Sequence, residues 1–262
     1  MGTAISSLVF QPPSLTYMHN AKHFWLDTRT MNRIPAFFID RSSTITVLFS
    51  HGNAEDLGMI YDWFHDFSRL VKVNVLAYDY TGYGKASGEV SEENCYADID
   101  AAYEHLTVDH QIASERIVLY GRSLGSGPTC YLAEKLSRSG TKLGGVILQS
   151  PLCSAFRVAF NFRFTLPGDM FPNVDRISNI ECPIYIIHGT RDEIVPFWHG
   201  QELFFAAQTK HRVKPFWVDG AGHNNIEALL REDGAFFTAI GKFLDEYTDR
   251  NRGAAPQSKP KE

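Results

Sequence analysis

The chain has few of the features that mark secreted, membrane-spanning or disulfide-bonded proteins. It contains only four cysteines in 262 residues, and these lie far apart without a Cys-x-x-Cys pair. That usage favours reduced thiols in the cytosol over a disulfide framework or a zinc site. No apolar run reaches the length that spans a bilayer, and no signal peptide is recognisable. We therefore expect a cytoplasmic protein.

Positive charge is also scarce, with 25 Lys and Arg residues against 30 Asp and Glu residues and a net charge of −5. Nucleic-acid-binding domains usually carry a basic face, so we expect no nucleic-acid partner. We also expect no cofactor and no metal. The glycines at 82, 84 and 88 do not match a dinucleotide fingerprint. His19 and His23 have the spacing of metal ligands on a helix, but their neighbours offer no further ligand.

Hydrophobic residues are plentiful instead, at 44% of the chain, and they occur in short runs that alternate with helical patterns. This alternation predicts an α/β fold with a mostly parallel central sheet and helices on both faces. We expect an N-terminal arm over residues 1–20, one domain over 21–248 and a disordered tail over 249–262. The predicted strands are 22–26, 34–39, 45–49, 73–78, 116–120, 145–149, 184–187 and 213–218, and the predicted helices are 59–70, 94–106, 128–136 and 232–247.

Residues 117–127 carry the strongest functional signal. An apolar run precedes a Gly-x-Ser-x-Gly turn centred on Ser123, and a helical pattern follows directly. Strand, tight turn and helix in this order predict a nucleophile elbow, which holds the serine hydroxyl clear of the sheet. The backbone N–H of Leu124 then points to where an oxyanion forms.

A serine nucleophile needs a histidine base and an acid that orients it, and in this fold class the order is Ser, acid, His. Asp192 follows the predicted strand 184–187, and His223 follows two glycines in the loop after the last strand. We predict these two as the partners of Ser123. Three other acids remain as rivals: Asp169, Asp175 and Asp219.

The loop after strand 45–49 is our candidate for the second oxyanion donor. Gly52 lets the backbone come close, and the N–H of Asn53 is the predicted donor. Alternatively, the side chains of Asn53 and Glu55 only shape the loop. We expect Tyr83 at the same rim, in contact with substrate.

Residues 151–180 interrupt the alternation and are rich in phenylalanine. Insertions at the carboxyl edge of such sheets often cover a ligand site, so we predict a short cap in which Phe156 and Phe160 contact substrate. Arg157 and Arg163 are expected to face acidic lipid or protein. The alternative is a helix packed on the core.

The N-terminus begins Met-Gly-x-x-x-Ser, which fits the N-myristoylation pattern and makes Gly2 the candidate lipidation site. A single myristoyl chain binds membranes only marginally, with an association constant on the order of 10⁴ M⁻¹. Apolar residues at positions 5 and 8–10 are expected to insert shallowly and assist it. We therefore predict peripheral attachment to the cytosolic face of a membrane.

Many separate blocks of the sequence resemble the α/β-hydrolase domain-containing protein 17 family. They include SHGNAEDLG at 50–58, YDYTGYGKASG at 78–88, LYGRS at 119–123, SPL at 150–152, FPN at 171–173, HGTRDE at 188–193 and GAGHN at 220–224. The resemblance extends from about residue 35 to 247. It implies an α/β-hydrolase fold, a Ser123–Asp192–His223 triad and removal of palmitate from protein cysteines at membranes. Family members carry a cysteine-rich, palmitoylated N-terminus, whereas this chain has no cysteine before Cys95.

Our leading expectation is therefore a palmitoyl-protein thioesterase acting on S-acylated proteins. A general carboxylesterase or lipid esterase acting on acyl-ester lipids would use the same three side chains. The third hypothesis is a catalytically silent scaffold of the same fold.

Overall fold

A computed structural model of the chain describes residues 9–17, 22–160, 163, 167–231 and 234–248. Within these ranges, eight strands form one sheet in the order β1-β2-β4-β3-β5-β6-β7-β8. The strands are β1 (Phe24–Asp27), β2 (Arg33–Ile39), β3 (Thr46–Ser50), β4 (Asn74–Tyr78), β5 (Ile117–Arg122), β6 (Gly145–Gln149), β7 (Ile184–Gly189) and β8 (Phe216–Val218). Strand β2 pairs antiparallel with both β1 and β4, and the six strands β3 to β8 run parallel to one another. The mostly parallel sheet predicted from the sequence is confirmed.

Helices cover both faces of the sheet. They are α1 (Leu57–Val71), α2 (Glu92–Glu104), α3 (Ser126–Arg138), α4 (Ala155–Phe160), α5 (Asn173–Arg176), α6 (Trp198–Ala206), α7 (Ile226–Leu229) and α8 (Ala235–Tyr247). Side chains alternate along β5, so Leu119 packs in a core with α2 and α3 while Val118 packs in a second core with α1 and α8. The strands are buried on both sides, which explains their nearly unbroken apolar runs.

The register of the parallel strands brings the candidate loops together. Ser50 at the end of β3 lies opposite Gly121, and Arg122 at the end of β5 lies opposite Gln149. Gly189 and Val218 pair at the ends of β7 and β8. Because parallel strands end at one edge, the loops that follow β3, β5, β7 and β8 all open there.

The structure differs from the sequence prediction in a few elements. Helix α6 was not predicted, since its apolar residues do not form a single stripe. Strand β8 has three residues rather than the six predicted over 213–218. The predicted cap contains the short helices α4 and α5, and its Phe171 is fully buried between the rings of Phe10 and Tyr96.

Part of the predicted arm lies within the described residues. Residues 9–17 pack against the domain, with Phe10 and Tyr17 buried. Residues 1–8 and 18–20 of the predicted arm, and the predicted tail, lie outside the described residues, as does the lipidation candidate Gly2. The division into arm, domain and tail stays a prediction. Among the described helices, none combines the length and the apolar character that crossing a membrane requires.

Candidate active site

Ser123 lies on a strained turn between β5 and α3. Its φ is 52°, a left-handed conformation that costs energy for a residue with a side chain. The turn closes only because its flanking residues lack a Cβ. A Cβ on Gly125 would lie 2.0 Å from the carbonyl oxygen of Ser50, and one on Gly121 would lie 2.5 Å from that of Gly125. This is the geometry expected of a nucleophile elbow.

The structure brings together Ser123, His223 and Asp192, which come from three different loops. His223 Nε2 lies 3.0 Å from Ser123 Oγ, and His223 Nδ1 lies 2.8 Å from Asp192 Oδ2. A carboxylate only accepts hydrogen bonds, so Nδ1 carries the proton and donates it to Asp192. The lone pair on Nε2 is then free to accept the hydrogen bond from the serine hydroxyl. Ser123 and His223 are partly exposed, which leaves the pair accessible to a substrate.

Asp192 is held as a carboxylate by several donors. Its Oδ1 accepts hydrogen bonds from the N–H groups of Ile194, at 3.0 Å, and Val195, at 2.8 Å. Fully buried His188 approaches Oδ2 with Nε2 at 3.2 Å. Burial alone would raise the pKa of Asp192, but the hydrogen bonds from His188 and His223 hold that pKa well below its ordinary value. His188 was not predicted as a site residue. The signal for it was its position near the end of β7, the strand whose following loop carries Asp192.

The rival acids do not take this position. Asp219 is exposed and accepts a hydrogen bond from the Thr190 hydroxyl at 3.1 Å. Asp169 accepts from the N–H of Phe156 at 2.9 Å. Asp175 is on the short helix α5 in the predicted cap. Of the four candidates, Asp192 contacts His223.

A cavity of about 500 Å³ opens beside Ser123 and His223, and most of the residues that line it are polar or charged. Two half-exposed apolar side chains, Met59 and Ile194, also contribute to it. The other lining residues are Gln11, Gly52, Asn53, Ala54, Glu55, Arg122, Asn224 and Glu227. The cavity is thus a cleft that combines charged and polar groups with an apolar rim formed by Met59 and Ile194.

The two predicted oxyanion donors flank this cleft. Leu124 is buried and directly follows Ser123 in the 3-10 turn that leads into α3. Asn53 lines the cleft, and its backbone N–H donates to no acceptor within the described residues. The first N–H groups of a helix likewise have no partner inside it. Both N–H groups are therefore free to bind a developing negative charge.

The side chain of Asn53 forms three hydrogen bonds with its surroundings. Its Oδ1 accepts hydrogen bonds from the N–H of Gln11, at 2.8 Å, and from the Tyr83 hydroxyl, at 2.6 Å. Its Nδ2 donates to the carbonyl oxygen of Val9 at 2.7 Å. Tyr83 is fully buried and does not line the cleft, so the predicted contact of Tyr83 with substrate is corrected. Tyr83 instead fixes the Asn53 side chain, because its ring packs in the core and its hydroxyl donates to Asn53 Oδ1.

Arg122, next to Ser123, is the centre of a charge network that the sequence did not reveal. The guanidinium forms a salt bridge with Glu55 and lies 3.2 Å from Glu227 Oε1. Glu55 in turn accepts the N–H of Gly52 at 2.7 Å, and Glu227 accepts from Gln149 at 2.8 Å. The network therefore joins the elbow, the loop after β3 and helix α7.

The cap residues are arranged differently from the prediction. Phe156 is largely buried and contacts half-exposed Phe160, with ring centroids 5.8 Å apart, but neither lines the cleft beside Ser123. Arg157 is not on the surface as expected. It is buried and forms a salt bridge of 2.6 Å with Glu202 on α6, because a buried charge requires a partner. Arg163 stacks over the ring of Trp198 at 4.9 Å.

Comparison with known proteins agrees with this fold. A family model described as serine aminopeptidase, S33, matches residues 41–173. The solved structure of an esterase from Pyrococcus furiosus superposes with a TM-score of 0.73 at 20% identity, covering 91% of this chain and 98% of that one. A structure of mouse α/β-hydrolase domain-containing protein 10 gives a TM-score of 0.62 at 15% identity, covering 86% and 99%. At these identities the likeness concerns the fold, which is the α/β-hydrolase fold.

Curated relatives are more similar in sequence. Mouse α/β-hydrolase domain-containing protein 17C is 43% identical over 207 residues, which cover 78% of this chain and 62% of the relative. Xenopus tropicalis α/β-hydrolase domain-containing protein 17B is 44% identical over 226 residues, which cover 85% and 75%. The chain thus spans less than two thirds of the length of the 17C relative. Together with the matched motifs, these identities show that the chain belongs to the α/β-hydrolase domain-containing protein 17 family.

Proposed function

We propose that this chain is a serine hydrolase that cleaves acyl thioesters and removes palmitate from protein cysteines. The observation that carries the proposal is the relay of two hydrogen bonds, from Ser123 Oγ to His223 Nε2 at 3.0 Å and from His223 Nδ1 to Asp192 at 2.8 Å. A serine hydroxyl is a weak nucleophile until a base takes its proton. The relay supplies that base in its required tautomer.

In the first half-reaction, Ser123 Oγ attacks the acyl carbon while its proton moves to His223 Nε2. The carbonyl oxygen becomes an oxyanion, which the N–H groups of Leu124 and Asn53 stabilise. Such donors lower the barrier by about 3 kcal/mol each. Asp192 keeps His223 oriented and stabilises the imidazolium that forms. The carbon–sulfur bond then breaks, and His223 returns the proton to the departing cysteine sulfur.

In the second half-reaction, water attacks the acyl group on Ser123. His223 takes one proton from this water, and the bond between the acyl carbon and Ser123 Oγ breaks. The proton passes from His223 to the serine, and the fatty acid leaves. No group beyond these side chains and water is needed to balance the reaction.

The choice of a protein thioester as substrate rests on the resemblance to the family and on the shape of the cleft. The cleft is open and partly exposed, so a cysteine on a folded protein can reach Ser123. Met59 and Ile194 provide the apolar contacts at its rim. We propose that they receive the first carbons of the acyl chain.

A general esterase is the second candidate, and the charged side chains in the lining of the cleft favour it. Arg122, Glu55 and Glu227 lie beside the nucleophile, and a long acyl chain gains little from such groups. Short oxygen esters and acyl-ester lipids with a polar headgroup fit this lining better. The thioesterase account therefore requires that a long chain continue along the apolar rim.

A chain-length panel tests these two candidates. The wild-type chain is assayed on an S-palmitoylated peptide and on p-nitrophenyl esters from acetate to palmitate. We expect turnover of the thioester, loss of all turnover in Ser123→Ala, and unchanged turnover in Ser139→Ala, a change at the far end of α3. Turnover of short oxygen esters alone would remove the thioesterase and leave the general esterase. Absence of any Ser123-dependent turnover would favour the silent scaffold.

We also propose that a myristoyl group on Gly2 holds the protein at the cytosolic face of a membrane, where S-acylated proteins are found. The start of the sequence supports this, because it fits the acylation pattern. The Gly2→Ala protein is expected to leave the membrane fraction of cell lysates while keeping its activity on soluble esters. Unchanged membrane partitioning would contradict the anchor.

A further inference from the structure

Residues 9–17, which we name the strap, lie across the loops of the candidate active site. At one end, Val9 and Gln11 form two hydrogen bonds with the side chain of Asn53: the Val9 carbonyl oxygen accepts from Nδ2, and the Gln11 N–H donates to Oδ1. Between them, Phe10 is buried and its ring contacts that of Phe171, with centroids 5.9 Å apart. The strap is therefore fixed to the core beside the cleft.

The other end of the strap is fixed to the start of α1. The N–H of Thr16 donates to Asp56 Oδ2 at 2.8 Å, and the Tyr17 hydroxyl donates to buried Asp79 at 2.5 Å. Asp56 also caps α1 by accepting the N–H of Met59. The two ends thus hold both sides of residues 50–56, the loop that carries the proposed oxyanion donor.

Asn53 connects the strap to the chemistry. Asn53 lines the cleft, where its backbone N–H is the proposed oxyanion donor, whereas its side chain is bound by the strap and by Tyr83. A residue whose side chain makes three hydrogen bonds has little freedom to rotate, so the direction of its N–H is set by those bonds. An oxyanion donor is effective only when it is already in place, because reorganisation during the reaction costs rate.

We propose that the strap is a positioning element of the active site, and that the side chain of Asn53 is the positioning residue through which it acts. This rests on the proposed function, since it assigns the strap a role in stabilising the oxyanion. The N-terminal segment is then part of the catalytic unit, in addition to any part it has in attachment to a membrane.

The test uses full-length chains and p-nitrophenyl butyrate. Asn53→Ala keeps the backbone N–H but removes all three side-chain hydrogen bonds, and Phe10→Ala loosens the strap without touching the cleft. Leu15→Ala is the matched control, because Leu15 lies on the same strap and half of its side chain is exposed. For each chain, kcat, KM, the melting temperature and the pH profile of kcat/KM are measured.

We expect kcat to fall by about 10- to 100-fold in Asn53→Ala and in Phe10→Ala. This is less than the fall in kcat that complete removal of one oxyanion donor causes, because the Asn53 N–H is displaced but still present. KM and the shape of the pH profile should stay unchanged, because His223 and Asp192 are not affected, and Leu15→Ala should match the wild type. If kcat per folded molecule stays at the wild-type value in Asn53→Ala, the inference is overturned, whether or not the melting temperature falls. If Phe10→Ala does not fold, the kcat of Asn53→Ala alone tests the inference. A wild-type chain without esterase activity would instead overturn the proposed function, and the inference with it.

Discussion

Replacing Arg122 with methionine is the perturbation whose effect the structure defines in most detail. Arg122 is the shared partner of Glu55 and Glu227, and the side chains of all three are only about one fifth exposed, at 21%, 21% and 18%. Methionine keeps an apolar stem near the ring of Phe49, over which the guanidinium lies at 5.7 Å. The substitution therefore removes the charge while retaining most of the packing. It leaves two buried carboxylates without their cation.

The expected loss of stability follows from this arrangement. Breaking a buried ion pair by removing one partner costs about 3 to 5 kcal/mol of stability. Because these groups are partly exposed, we expect a cost at the lower end of that range, about 3 kcal/mol. Burial alone would raise the pKa of Glu55, but Arg122 holds that pKa below its ordinary value. Without Arg122, burial is unopposed and the pKa of Glu55 rises above its value in the unfolded chain. The folded variant then binds a proton that the unfolded chain has lost, so its stability decreases as pH rises.

Urea unfolding of the wild type and Arg122→Met at about pH 5 and about pH 8 measures both effects. We expect a gap of about 3 kcal/mol at the higher pH and a clearly smaller gap at the lower pH. Adding Glu55→Gln to Arg122→Met should recover part of the loss, since it removes one unpaired charge. Arg69→Gln, which breaks an exposed pair with Asp66, should change stability by less than about 1 kcal/mol. A loss below about 1 kcal/mol in Arg122→Met, or a gap independent of pH, would refute the reasoning.

Two further changes test other parts of the structure. Buried Asp98 accepts hydrogen bonds from the N–H and the hydroxyl of Thr81, and burial raises its pKa to about 7. The contribution of Asp98 to stability should therefore fall as pH rises from about 4 to about 7. Asp98→Asn keeps a partner for both groups of Thr81 and removes the titrating carboxyl. Denaturant titrations at several pH values should show that the free energy of unfolding changes less with pH in this variant, by on the order of 2 to 4 kcal/mol. If the pH dependence is the same as in the wild type, Asp98 is not its source. Gly125→Ala would place a Cβ 2.0 Å from the Ser50 carbonyl, so we expect a loss of about 2 to 3 kcal/mol in thermal unfolding and displacement of Ser123 with loss of esterase activity. Full activity in Gly125→Ala would show that the elbow tolerates a side chain there.

Much of the site could be predicted because local sequence determines it. The glycines around Ser123 are required by a backbone turn, and that turn fixes the strand before it and helix α3 after it. Asp192 and His223 could be found because each lies in the loop after a strand, and the ends of parallel strands meet at one edge. The strands themselves were visible as apolar runs, since both of their faces are buried.

The features that could not be predicted depend on contacts between distant parts of the chain. Arg122 and Glu227 are 105 residues apart, and the bond between Val9 and Asn53 joins residues 44 apart. Neither pair follows a periodic pattern that the sequence exposes. Arg157 was expected to face acidic lipid or protein, but it is buried and paired with Glu202, which lies 45 residues away in the sequence.

Labelling with a fluorophosphonate probe tests the central claim most directly, because the probe forms a covalent bond with a serine only when a neighbouring base activates it. We expect one adduct per chain, located by peptide mapping on Ser123 and absent from both Ser123→Ala and His223→Ala. A folded wild-type chain that forms no adduct, or an adduct on Ser123 that persists at the same rate in His223→Ala, would contradict the account.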